Sequence, residues 1–208
     1  MCTRTAILLV AGALLLTACE SGTAPEPQLE DQDAQLLSTE ADAMLATMLN
    51  GLFGGFSGAP AAVASPSHVD VVTTWSFTRT RTCRGGGSAT LTGEGTRERD
   101  DEAGTVDVTA SGTKTRDACG FVRGDVTITV DGSGDWTHER HFLDRAPTGT
   151  WITTWTGEFS WAKSTGQSGS CSQDLTVTID TAANTRALTG THCGREIDRT
   201  RTWRKERA

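Results

Sequence analysis

The chain has 208 residues, with 19 Lys and Arg against 26 Asp and Glu, for a formal net charge of −7. That acidic balance gives no ground for a nucleic-acid partner, and no apolar run reaches the roughly 20 residues that a spanning helix needs. Composition changes abruptly near residue 68, so the two halves are read separately, in chain order.

Arg4 is the only charge ahead of an apolar run, Ala6 to Leu16, that is interrupted only by Gly12. A short positive n-region followed by an h-region of this length is the layout of a secretory signal. The run ends in Leu16-Thr17-Ala18-Cys19, which resembles the lipobox of bacterial lipoproteins. That resemblance implies removal of residues 1–18 as a signal peptide and attachment of lipid, diacylglycerol with palmitate-like acyl chains, to Cys19. It also implies a membrane-anchored protein of the cell envelope. The residue after the cysteine is Glu20 and not Asp, which in that family favours the outer membrane, facing the periplasm, in a Gram-negative organism.

Cys2 leaves with the signal and Cys19 takes the lipid, so Cys83, Cys119, Cys171 and Cys193 remain. In an exported domain an even set of cysteines reads as disulfides, and four allow three connectivities. Sequential pairing, Cys83 with Cys119 and Cys171 with Cys193, closes the shorter loops and is the expected one. A zinc site would be the alternative, but there is no Cys-x-x-Cys, and only His192 among the histidines adjoins a cysteine.

Residues 20–67 hold seven acidic residues, no Lys or Arg, and four of the five prolines, the composition of a disordered anionic tether. Inside it, Ala41, Met44, Leu45, Met48, Leu49 and Leu52 recur at helical spacing. A short amphipathic helix is predicted near 39–50, with Thr39 as N-cap and Asn50-Gly51 as its stop. Its polar face carries Glu40 and Asp42 and not the Lys or Arg that a membrane-surface helix wants, so docking onto the following domain is expected. The Gly-rich stretch from Leu52 to Ala64 reads as a linker.

From His68 to Ala208, 29 of 141 residues are Thr, and all six Trp fall here. The period is two: Val126, Ile128 and Val130 alternate with Thr127 and Thr129, and Leu175, Val177 and Ile179 with Thr176 and Thr178. An all-β antiparallel domain follows, with about eight strands near 69 to 83, 87 to 99, 104 to 119, 121 to 131, 135 to 143, 149 to 163, 170 to 181 and 186 to 204. Short links predict an up-and-down meander. A small soluble barrel is its expected closure, because an even count lets the last strand pair with the first. An open sheet, a sandwich, or one long strand through Asp131 to Asp135 are the alternatives.

Strand parity also sorts the charges. Cations share the face of the apolar residues, while Glu94, Glu98, Asp107, Glu139 and Glu158 take the opposite face. Inward cations with no inward carboxylate must reach solvent, snorkel past the core or meet an anion. A rough register gathers Arg79, Arg81, Lys114, Arg116 and Arg140 at one end, with Arg97, Arg99, Arg199 and Arg201 near the other. The first five are the candidate ligand site, for a small anionic molecule or the headgroup of an amphiphile.

Other chemistry is thin. In a strand, His138 and His141 point to opposite faces and cannot share a metal. The Asp131-x-Ser133-x-Asp135 stretch lacks the loop glycine and closing Glu of an EF-hand and reads as a turn. No catalytic triad, nucleophile elbow or phosphate-binding glycine motif is present, so neither catalysis nor a cofactor is expected. Gly93 and Gly95 lie inside a strand, where an aromatic neighbour can cover them. Two function classes fit: an envelope lipoprotein binding a small anionic or amphipathic ligand, or an assembly lipoprotein acting through an envelope protein partner.

Overall fold

A computed structural model describes residues 28–53 and 71–202. The signal segment, Cys19 and the stretch after Phe53 lie outside the described residues. The elements are a helix, α1 (Asp31–Phe53), and eight strands: β1 (Val71–Thr82), β2 (Ser88–Asp100), β3 (Thr105–Arg123), β4 (Val126–Leu143), β5 (Ala146–Lys163), β6 (Ser168–Asp180), β7 (Thr185–His192) and β8 (Arg195–Thr202). The strands form one antiparallel meander in sequence order, β1 through β8.

The class and the meander are those expected, but the sheet does not close: among the described residues β8 makes no ladder with β1. Helix α1 reaches both ends of the meander. Leu36, Glu40, Ala43, Met44 and Thr47 share a groove with Arg81, Thr82, Cys83 and Arg84, while Arg195 and Arg199 on β8 bond to Leu29 O and to Ser38 and Thr39. Leu29, Ala34, Leu37 and Met44 join the same buried core as Leu91, Trp136, Trp155 and Leu175.

The helix is longer than the 39–50 window and begins two turns earlier. Thr39 is therefore no cap; it lies mid-helix with its hydroxyl donating to Gln35 O at 2.8 Å. The helix also runs past Asn50-Gly51. The part of the acidic segment read as tether that spans residues 31–53 is thus ordered, because its apolar side has a sheet to bury against.

Strand count survives while one expected turn shifts, one disappears and a new one divides the last strand. The hairpin expected at Cys119-Gly120 is a bulge inside β3: the β3–β4 register shifts between Arg116 and Cys119, and Ala118 sits at φ 46°. Asp131 is not in a turn but in β4, and its carboxylate accepts the Ala118 N–H at 2.6 Å. The stretch Asp131 to Asp135 is accordingly one long strand, and the last predicted strand is instead the β7–β8 hairpin. That hairpin turns on Cys193 and Gly194 and the β4–β5 hairpin on Asp144 and Arg145, all four at positive φ, as a two-residue turn matched to strand twist demands.

Paired glycines let the sheet coil. Gly93 faces Gly112 in the β2–β3 ladder and Gly134 faces Gly157 in the β4–β5 ladder; a Cβ on Gly112 would come within 2.0 Å of Thr92 O, and one on Gly134 within 2.1 Å of Thr156 O. Such close backbone approach bends a sheet. The bare backbone is covered by aromatic rings, Trp136 and Phe77 over Gly93 and Trp75 over Gly95. The disulfides are Cys83–Cys119, joining the end of β1 to the β3 bulge, and Cys171–Cys193, joining β6 to the β7–β8 turn. With all four cysteines so used, the zinc alternative falls away.

Candidate functional site

The face that carries the cations is the one α1 covers, and the ladders place its side chains in cross-strand rows. One row reads Arg79, Leu91, Lys114, Gly134, Gly157, Gln173 and His192. The next reads Arg81, Ala89, Arg116, Gly132, Phe159 and Cys171. Arg81 thus faces Ala89 where Leu91 was expected, Arg79 faces Leu91 where Gly93 was expected, and Lys114 adjoins Leu91 and not Ala89. Each slip is two residues, so every side chain keeps its face.

Of the five candidate residues, Lys114 and Arg116 come together in the interior, 8 % and 9 % exposed. Arg79 and Arg81 share their rows but are exposed, on the edge strand β1. Arg140 does not join them. The continuous β4 carries it to the far end, opposite Val108, where its guanidinium lies 4.1 Å over the Trp151 ring. Bringing it to their end, opposite Val126, would take a hairpin at Asp131 to Asp135 that does not form.

Several other cations, Lys163 foremost, find carboxylates on α1 or just before it. Asp33, fully buried, receives Lys163 Nζ at 2.6 Å and Arg123 Nε at 2.8 Å. Glu30 takes the same two cations at 3.2 and 3.8 Å. Asp42 pairs with Arg186, Asp31 with Arg195, and Glu40 with Arg84. Burial works against the charge on Lys163, but hydrogen bonds and proximity to Asp33 and Glu30 together outweigh it and hold its ammonium above the usual lysine range.

Lys114 and Arg116 are treated differently. Neither forms an ion pair with a carboxylate among the described residues. Burial, followed by the neighbouring Arg116, pushes Lys114 well below its ordinary range, and Asp42 opposes this only at a distance. Burial lowers Arg116 to about 10. Arg116 Nη2 donates to Gln173 Oε1 at 3.4 Å, its guanidinium stands 5.1 Å over Phe159, and its Nε has no hydrogen-bond partner. His192, with 0 % exposure, also lies against Phe159, and neither of its ring nitrogens has a hydrogen-bond partner. Burial, then Arg116, Lys114 and Arg199, lower the His192 pKa to about 4, which keeps the imidazole neutral at pH 7.

Gln173 and His192 thus complete a group that parity alone had reduced to cations. The signal was present, since both residues fall at inward positions of their strands, but a neutral residue carries no weight in a search for charge. The other two histidines singled out, His138 and His141, do face opposite sides. His138 bonds Thr153 Oγ1 at 2.7 Å inside, and His141 bonds Asp107 at 2.7 Å outside. Comparison with protein-family models, with curated proteins and with solved structures finds no match to this chain.

Proposed function

We propose that this is a lipid-tethered protein of the cell envelope whose β-domain binds an anionic or amphipathic small molecule at the cationic part of its inner face. The observation that carries the reading is the pair Lys114 and Arg116, enclosed on a face rich in Trp, Phe and Leu, with no carboxylate in an ion pair with either among the described residues. Enclosing two like charges costs several kcal/mol, which a bound anion offsets. The tether rests on the lipobox-like Leu16-Thr17-Ala18-Cys19. Membrane fractionation tests that half: Cys19→Ala should move the protein to the soluble fraction, and undiminished membrane association would refute it. Calorimetry against anionic amphiphiles tests the other half, with affinity at least tenfold weaker in Lys114→Ala plus Arg116→Ala as the expected result.

A second reading, assembly through an envelope protein partner, draws on the unpaired edge of β1, where Val71 and Val72 are 44 % and 61 % exposed. Edge strands of this kind accept an extended segment of another chain. A stoichiometric partner crosslinked to β1 would favour it.

A further inference from the structure

Resting on that ligand-binding reading and narrowing it, we infer that Lys114, Arg116, Gln173 and His192 form a closed site for a small desolvated oxyanion, with α1 as its cover. The four residues come from β3, β6 and β7 and meet on one face, in neighbouring rows of the sheet. Between Lys114 and Gln173 the two register positions are Gly134 and Gly157, and beside Arg116 stands Gly132. These glycines contribute no side chain between the four residues, and backbone and Phe159 pack closely against them.

The donor set suits a carboxylate, phosphate or sulfate group. Lys114 offers an ammonium, Arg116 an Nε–H with no hydrogen-bond partner, and a neutral His192 one ring N–H, also without one. None of these is an acceptor that would repel an anion when the histidine presents its N–H. Gln173 Oε1 is occupied by Arg116, which leaves its amide N–H groups as further donors.

Size follows from what surrounds the group. Leu91, Trp136 and Leu175 are fully or almost fully buried on one side, and Phe159 and Trp161 on the other. A long acyl tail has no place to enter without opening that packing, whereas a group of a few heavy atoms needs only the polar centre. Above the site, α1 brings Asp42, whose charge reaches Lys114 but whose carboxylate is held by Arg186. The helix therefore covers the cations without neutralising them. Entry of an anion requires α1 to lift, and its ion pairs at Asp31, Asp33, Glu40 and Asp42 are the contacts that must loosen.

Thermal unfolding of the full protein tests this, with inorganic phosphate or sulfate added against chloride at matched ionic strength. Saturating phosphate should raise the midpoint by about 5 °C in the wild type, and the rise should vanish in Lys114→Met, which keeps the volume and removes the charge. Should that variant fail to fold, the ring signals of His192 in the wild type give the answer: they should move saturably with phosphate and not with chloride. An equal rise in both proteins, or immobile His192 signals, overturns the inference. Amphiphile binding with which phosphate and sulfate do not compete defeats the small-oxyanion site and leaves the broader reading standing; binding of neither class defeats both.

Discussion

The two ends of the inner face carry cations on the same parity and treat them in opposite ways. At the end under α1, Lys163 is almost fully enclosed and rests on the buried Asp33. At the far end, Arg140 is half-buried and lies over Trp151. A cation at an apolar position is therefore not one kind of object. Its cost depends on what the chain lays over it: a carboxylate from outside the sheet, an aromatic face, as at Arg140 and Arg116, or, at Lys114, neither.

Acid should sharpen this contrast most. Burial and nearby Arg140 lower the His138 pKa to about 3, and burial with Arg116, Lys114 and Arg199 lowers that of His192 to about 4. Both rings are neutral when folded and free to protonate when unfolded, near pH 6.5. Above that pH their contribution is fully present; as pH falls from 6.5 toward 4 the unfolded chain binds protons that the folded one refuses, and stability is lost. Each ring should remove on the order of 3 kcal/mol over that window. Urea unfolding at pH 7 and pH 4.5 should show the loss, and a His138→Gln plus His192→Gln variant should show a shallower slope. An unchanged slope would mean that these rings are not shielded from protons.

Removing the carboxylate at the covered end should be nearly as severe. Asp33→Asn leaves the enclosed Lys163 and the partly enclosed Arg123 without their shared partner, apart from Glu30 at the surface, and should cost about 3 kcal/mol. Denaturant midpoints would measure it, and a loss below about 1 kcal/mol would make this end equivalent to a surface ion pair. Arg140→Ala at the far end should be the mildest, about 0.5–1 kcal/mol, the range of a cation over a partly solvated ring. A larger effect there would erase the distinction between the ends.

How far the sequence reveals this depends on which interactions are local. Alternation of Val, Ile and Leu with Thr identified the sheet, its faces and the strand number, because period two survives any slip of two residues. The bulge at Ala118 did not show: Cys119-Gly120 has turn chemistry, and the Asp131 carboxylate that stabilises a bulge there is 13 residues away. The hairpin at Asp144-Arg145 falls within the link expected between residues 143 and 149; only its tightness did not show, since neither residue is the glycine that usually adopts positive φ. Parity found the buried Lys114 and Arg116 but could not foresee the exposure of Arg79 and Arg81, which follows from β1 lying at the edge. The helix was placed by its apolar spacing yet drawn too short, because Ala34 and Leu37 count as a stripe only when a sheet lies under them. The complementarity of an acidic segment to a cationic face was legible in composition; its pairing residue by residue was not.

The chain enters the domain through Leu29, almost fully buried, with Asp31 and Asp33 clamped just beyond it. If Cys19 is the anchor, nine residues separate it from Leu29, a leash that covalent geometry limits to about 35 Å however it is arranged. Tension on the leash would load the first turns of α1 before it reached any strand. Pulling the domain away from its membrane would then strain the ion pairs that hold the helix over Lys114 and Arg116, so that the mechanical state of the envelope and access to the cations would share a single joint.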